Sequence, residues 1–460
     1  MIKQITLKYI IMLIIIVIMY NRTLEMAKFR EIINSDRSEL VIIYGRRRVG
    51  KSTLMFNLAD ISNSIYFICD SSRNILDNLA RQIQDSFVRF SNWDDFFEFV
   101  IKSPYRVIIL DEFQYIYDGN RSWPTQFQRW WEKIKTTDKK IFLCGSTIST
   151  IYRISMGYGA PLYGRKTREI EIEPLRYHHL KYFFANYSLE DLVKTYAVLG
   201  GIPRYLEEFD SKVTPEENIK TKILDRTSFL YNEPMNLLFE EFREPGAYIS
   251  ILLALTQGHK RFSDISVVSK ISSNVLQKYL SVLERTKIIE RDIPVTENAI
   301  GKKNTRYSLK DQFYIFWFRY IFHNQSMLNR GSVIPVYESI MPDLNTFIGK
   351  AFERICKDYV ALSSSFEYTK IGSWWLKDNE IDIVALNENK GEILFGECKW
   401  SENVDPEKIL QNLIRKSKLV DWKKKNRSEK YILFAKTFRK TLPDDNVILI
   451  TLNQLFQNLS

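Results

Sequence analysis

The chain has little of what staples or ligates. Its 460 residues hold four cysteines and four histidines. Cys69, Cys144, Cys356 and Cys398 lie far apart and form no C-x-x-C pair, which argues against a disulfide framework and a cysteine zinc site. His178 and His179 are adjacent, while His259 and His323 stand alone, so metal-binding histidine spacing is also missing. Any metal is expected on oxygen ligands, and the cysteine usage fits a reducing cytoplasm. Proline-, glycine- and serine-rich tracts are absent, as is any self-similar period, which excludes a long disordered linker and a solenoid.

Long apolar runs are scarce too. YIIMLIIIVIMY, Tyr9 to Tyr20, follows Lys3 and Lys8 and resembles a signal-peptide core, but no small-x-small cleavage pattern follows it. Its twelve residues fall short of the about 20 that span a bilayer as a helix. It reads as a short anchor, an extra buried strand, or leader sequence ahead of an alternative start at Met19; length favours the last, and stable membrane insertion is not expected.

What the chain does have is apolar residues at 45 % and aromatics at 14 %, enough for packed cores, in a length that suggests several domains. Sixty-six Lys and Arg against fifty-five Asp and Glu leave a charge of +11, modest for this length but favouring a polyanionic partner.

The stretch ELVIIYGRRRVGKSTLMFNLA, Glu39 to Ala59, joins a β-branched run to a helix-like run through Gly45-Arg46-Arg47-Arg48-Val49-Gly50-Lys51-Ser52-Thr53. This is G-x-x-x-x-G-K-[ST] in full, with strand, loop and helix in the required order. Gly45 and Gly50 let the backbone curl its N–H groups toward phosphates, Lys51 reaches the terminal phosphates, and Ser52 offers a hydroxyl to Mg²⁺. A second apolar strand, in PYRVIILDEFQYI, ends in Asp111-Glu112, suited to holding Mg²⁺ and to polarising a water. A third, KKIFLCGSTIST, ends in Gly145-Ser146-Thr147, where Ser146 is placed to sense a γ-phosphate or to cap a helix. Three strands with helical spacers predict a parallel α/β sheet.

These runs, with PLYGR at Pro161 to Arg165 and YAVLGGIPRYL at Tyr196 to Leu206, resemble the archaeal ATPase family of the AAA+/STAND group, nearly throughout from Tyr20 onward. The resemblance implies ATP with Mg²⁺, an arginine at Arg165 for phosphate, and a lid element at Gly201-Ile202-Pro203; one arginine in a loop reads more readily as a plain surface or ion-pair residue, and a homo-oligomer is left open.

From Pro245 the chain offers three short segments with apolar spacing near 3.6 and then two strands around a basic loop, the outline of a winged helix. If DNA is the partner, Ser272 to Gln277 open the recognition helix and Lys302, Lys303 and Arg306 sit on the wing; otherwise the unit is a packing module. DQFYIFWFRYIF, with seven aromatics in twelve residues, reads as a buried helix. DWKKKNRSEK, Asp421 to Lys430, reads as a solvated loop unless it contacts phosphates.

After a connecting stretch near Gly331 to Asn345, FIGKAFERICKDYVAL keeps a helical beat with Glu353 just off its stripe. SWWLKDNEIDIVALNENKGEILFGECKW then reads as two strands about a loop of Glu388 to Gly391. That register sets Asn387 opposite Glu392 and Asp382 opposite Glu397, with Lys399 on the same face. Two opposed carboxylates repel unless a positive group lies between them, and a divalent cation on Asp382 and Glu397 would serve, with Lys399 orienting water and Glu353 as a further ligand. A surface ion-pair set is the simpler alternative. The pattern Glu-Asp-Glu-x-Lys resembles the PD-(D/E)xK nuclease family, with Ile381 where a proline is often found. That resemblance implies catalytic roles for Glu353, Asp382, Glu397 and Lys399, in an active or a degenerate nuclease fold.

The fold class expected is therefore α/β: a P-loop parallel sheet with helical lid, a winged helix, and an α/β nuclease-like domain. The expected boundaries are 1–20 (apolar segment), 21–174 (ATPase core), 175–244 (lid), 245–310 (winged helix), 311–345 (connecting helix and linker) and 346–460 (nuclease-like). The expected function is an Mg²⁺-dependent ATPase coupled to a DNA-binding winged helix and a nuclease-like C-terminal domain; one rival is an ATP-driven signalling or defence switch whose C-terminal domain binds a partner without cutting, and a second is a membrane-tethered ATPase with no nucleic-acid role.

Overall fold

Parallel pairing of five short apolar strands builds the first half of the molecule. In the computed structural model the described residues are 22–72, 74–83, 87–297, 304–363 and 366–457; the apolar segment at 1–20 and the wing lysines Lys302 and Lys303 lie outside them. The chain forms two compact units, one holding residues through Leu175 with Ile202–Arg204, the other Arg176–Gly201 and everything described from Tyr205.

In the first unit β1 (Glu39–Tyr44), β2 (Ser64–Ile68), β3 (Val107–Asp111), β4 (Lys140–Gly145) and β5 (Arg168–Glu171) form one sheet in the order β2-β3-β4-β1-β5. Every pair is parallel. The sequence reading saw β1, β3 and β4; β2 and β5 are additions. β2 alternates in burial and β5 is only half-buried, as befits the two edges, so neither carries the continuous apolar run that announces a central parallel strand. An aromatic layer covers one face: Trp93, Phe96 and Phe97 from helix Trp93–Lys102 pack with Trp123, Phe127, Trp130 and Trp131 from helix Trp123–Ile134.

Register positions the site. Tyr44 pairs with Gly145 and Ile68 with Asp111, while Phe113 N–H donates to the Cys144 carbonyl at 3.0 Å. The carboxyl ends of β1, β3 and β4 thus finish side by side, where a parallel α/β sheet presents its ligand crevice.

The second unit contains the winged helix. Helices Gly246–Thr256, Phe262–Ser269 and Ser273–Arg285 precede the antiparallel pair β6 (Ile289–Asp292) and β7 (Arg306–Leu309). The aromatic stretch is buried as expected: helix Gln312–Phe316 continues into a π-helical turn Trp317–Ile321, with Phe313, Phe316, Trp317 and Phe318 fully enclosed. The stretch 331–345, read as a linker, is mostly helix, and the boundary drawn at 345/346 falls inside the 30-residue helix Val333–Leu362. Pro342 lies within it. A proline removes one backbone bond from a helix, and the buried row Val336, Ile340, Leu344, Phe347 and Ile348 supplies the packing that carries the helix past it.

The last sheet is mixed. β8 (Lys370–Leu376), β9 (Asn379–Asn387) and β10 (Glu392–Lys399) are antiparallel neighbours, and β11 (Ser428–Ala435) and β12 (Val447–Thr451) add in parallel, in the order β12-β11-β10-β9-β8. Helix Pro406–Ser417 makes the crossover from β10 to β11. The wing reaches this sheet's edge: Val295 N–H donates to the Ser373 carbonyl at 3.0 Å, and Val295 joins the domain's apolar core.

Candidate functional site

The phosphate-binding loop has the backbone its glycines predict. Gly50, at φ 95°, caps helix Lys51–Asp60, and a Cβ there would meet nothing within 4 Å; the demand at Gly50 is conformational. Gly45 is required differently. A Cβ on it would stand 2.4 Å from the Ile172 carbonyl oxygen, because Ile172 N–H bonds the Tyr44 carbonyl at 2.7 Å as β5 runs alongside.

Lys51 Nζ donates to the carbonyls of Gly45 and Arg46, both at 2.8 Å. Burial pulls its ammonium below the ordinary lysine range, opposed by the nearby Cys144, Glu112 and Asp111. Ser52 is exposed at the start of the helix, beside half-buried Thr53. Val49 is buried, and its carbonyl accepts from Arg22 Nη2 at 3.0 Å. Arg22 is itself buried and bonded to Glu25 at 2.9 Å, so it pins the loop from beneath. Nothing in the loop motif pointed to Arg22.

Asp111 ends β3 buried, with Oδ2 accepting from Tyr66 Oη at 2.6 Å and Oδ1 from the Glu112 N–H at 3.0 Å. Glu112 adopts φ 54°, a left-handed conformation that turns its side chain away from the strand's alternation. Its Oε2 accepts from Ser146 Oγ at 2.7 Å and from Gln114 Nε2, and Gln114 also reaches Ser146 at 3.3 Å. Ser146 is thereby brought to Glu112. Its neighbour Thr147 accepts from Arg47 at 3.4 Å, while Arg46 and Arg48 are half-buried in the loop. Arg165 is placed elsewhere: its guanidinium faces Gln128 on helix Trp123–Ile134, whose amide oxygen, turned toward it, accepts from Nη1 at 3.0 Å and Nε at 3.1 Å. For Mg²⁺ the donor chemistry fits, since Ser52 and Asp111 offer hard oxygens at one end of the sheet.

In the second unit the hairpin register is as read, with Glu392 opposite Asn387 and Gly391 N–H closing the loop onto Asn387 O at 2.9 Å. The ladder stops at Gly396 and Ile383, one pair short of Glu397 and Asp382. There the Cys398 N–H donates to Asp382 Oδ2 at 2.9 Å, a side chain replacing a ladder carbonyl.

The positive charge between the acids is lysine. Glu397 is 5 % exposed and takes Lys399 Nζ on Oε1 at 2.9 Å; Lys416 Nζ, from the crossover helix, lies 3.2 Å from Oε1 and 3.0 Å from Oε2. Glu353 is bonded to Lys350 at 2.8 Å, one turn back on its helix. Burial, with Glu353 and Glu397 close by, pushes the Asp382 carboxyl up to about 7. Burial also raises Glu353. Lys399 is carried up despite burial, by Glu397 first and then Asp382.

Glu353, Asp382, Glu397 and Lys399 are therefore brought into one electrostatic cluster, and Lys416 is the member that sequence reasoning missed. As arranged, the cluster does not fit a divalent cation: two ammonium groups already neutralise Glu397, and among the described residues no group of three His, Cys, Asp or Glu is placed to hold a metal.

Arg306 is a correction as well. Expected near phosphates on the wing, it pairs with Glu380 at 3.2 Å and lies over the Trp375 ring at 4.4 Å, fastening β7 to the edge of the C-terminal sheet. Among the described residues no helix is long and apolar enough to cross a membrane.

Comparison with known proteins gives three family matches along the chain. Residues 19–209 match an ATPase domain predominantly from Archaea, residues 248–311 an HxlR-like helix-turn-helix, and residues 317–410 a family described as archaeal and bacterial proteins of unknown function. In solved structures the fold resembles the Walker-type ATPase of Pyrococcus abyssi, at 21 % identity and TM-score 0.46 over 65 % of this chain and 95 % of that one. It also resembles the ORC2 protein of Aeropyrum pernix in its ADPNP-ADP complexes, at 13 % identity and TM-score 0.42 over 70 % of this chain and 95 % of that one. An uncharacterized protein of Methanocaldococcus jannaschii is 35 % identical over 412 residues, covering 87 % of this chain and 92 % of the relative. On that identity and coverage, together with its P-loop domain, the chain belongs to the archaeal ATPase family.

Proposed function

We propose that the protein is an Mg²⁺-dependent ATPase whose nucleotide cycle serves a task on double-stranded DNA, contacted through the winged helix. The supporting observation is the convergence of Lys51, Ser52, Asp111 and Glu112 on the ends of parallel strands, the arrangement phosphoryl transfer needs. Ser52 and Asp111 would hold Mg²⁺, which would supply positive charge against the developing charge of the phosphates.

The loop N–H groups and the start of helix Lys51–Asp60 bind phosphate, and Lys51 exchanges loop carbonyls for phosphate oxygens. Glu112 orients a water and accepts its proton at Oε2, the atom that Ser146 and Gln114 hold. Ser146 thereby ties the γ-phosphate end of the site to the base. The test is phosphate release with Mg²⁺ present and chelated: Glu112→Gln should keep ATP affinity and lose turnover, whereas undiminished turnover would remove Glu112 from the reaction.

For the C-terminal domain the lysine clamp on Glu397 favours partner binding over cutting. Purified protein with Mg²⁺ or Mn²⁺, with and without ATP, should leave DNA uncut; cleavage that Glu397→Gln and Lys399→Ala abolish would establish the nuclease instead.

A further inference from the structure

Helix Ser273–Arg285 has two sharply different sides. Leu276, Leu280 and Leu283 are buried at helical spacing, and the opposite side presents Asn274, Val275 and Lys278 to solvent. Val275 is 42 % exposed, and Val267, on the preceding helix Phe262–Ser269, is 77 % exposed. Valine is a weak helix former, and its methyl groups in water cost free energy.

The surrounding charge is positive. From Gln257 to Lys278 the chain carries Lys260, Arg261, Lys270 and Lys278 against one acid, Asp264. All four cations are exposed, and Lys270 sits at φ 57° in the turn that leads into the helix. Such a face complements a polyanion. A protein partner would be better served by a broad apolar patch, whereas Val275 is flanked by exposed Ser272, Ser273 and Asn274.

Resting on the DNA reading above, we infer that this face reads an A·T pair in the major groove of double-stranded DNA. Asn274 reads adenine: its amide offers one donor and one acceptor, matching adenine N7 and N6, whereas guanine's two acceptors call for arginine or lysine. The exposed opening of the helix, Ser272 to Gln277, contains no arginine or lysine. Val275 and Val267 meet thymine methyl groups, the apolar points of the major groove. Lys270 and Lys278 take phosphates and fix the register. Arg306 plays no part, being bonded to Glu380.

The test uses the full chain with ATP and Mg²⁺ at fixed salt, selecting short duplexes from a randomised pool and measuring their affinity by fluorescence anisotropy. Enriched duplexes should share an A·T pair, and Asn274→Ala should lower affinity for them about tenfold and erase the preference there. Replacing thymine by deoxyuridine should weaken the parent severalfold and have little effect on a double variant, Val267→Ser with Val275→Ser. All three positions are exposed, and unchanged thermal unfolding by circular dichroism confirms that the variants are folded. Duplexes bound with no base preference, or a preference that survives Asn274→Ala, would overturn the inference and leave DNA binding standing. No duplex bound while ATP still binds would overturn both.

Discussion

The nucleotide loop and the C-terminal cluster use the same side chains, lysine and carboxylate, at the ends of strands, yet they treat charge in opposite ways. In the loop Lys51 rests on neutral carbonyls, and Asp111 is held by a tyrosine hydroxyl and a backbone N–H. No lysine is bonded to Asp111 or Glu112 among these contacts, so an incoming anion with its cation can exchange neutral partners for charged ones. In the cluster the charges cancel internally, with two ammonium groups already on Glu397 and a third on Glu353. A site kept open to ions holds its charges apart with neutral hydrogen bonds; a site of paired charges is built to stay as it is.

Four measurements would break or sharpen that contrast. The largest effect is expected at Lys51, where Lys51→Ala should lower ATP turnover about a hundred- to a thousandfold, read as phosphate release, with the fold intact by circular dichroism. Lys416→Met should cost about 3 kcal/mol in denaturant unfolding, since a buried Glu397 oxygen loses its cation, and adding Glu397→Gln should recover much of it. Equal stability of both variants would mean that the clamp is superficial. Gly45→Ala should cost about 2 kcal/mol, from a Cβ forced to 2.4 Å of the Ile172 oxygen, whereas Gly50→Ala should act on nucleotide affinity.

The last of the four is a pH dependence. Folded Asp382 keeps its proton to about pH 7, while in the unfolded chain the group ionises near 3.8. Between those values the folded state binds the extra proton, so this group's contribution to stability is fully present below the lower value and lost as pH rises through the upper one. Asp382→Asn should therefore flatten the fall in melting temperature from about pH 4 to about pH 7; an unaltered slope would assign the titration elsewhere.

The loop was legible because its motif is contiguous, and Gly45 through Thr53 carry their chemistry within ten residues. The hairpin register was legible because the Glu388–Gly391 loop fixes it, and the assembly of Glu353 with Asp382 and Glu397 followed from the helix preceding the sheet. Lys416 was not legible, since only the crossover packing of helix Pro406–Ser417 brings it to Glu397, nineteen residues away. Arg306 misled for a related reason: a basic residue on a wing looks the same in sequence whether it faces phosphate or Glu380. The stretch read as a connection is helix from Val333 onward, because a buried face carries that helix past Pro342.

The bond from Val295 to Ser373 covers part of the open side of β8, the kind of bare strand edge on which chains stick to one another. With Arg306 clasping Glu380 beside it, the winged helix doubles as the hem of the C-terminal sheet. A truncation that separates the two would leave that edge raw, so the sheet expressed alone should aggregate, and in evolution the pair is expected to travel, duplicate and recombine as one piece.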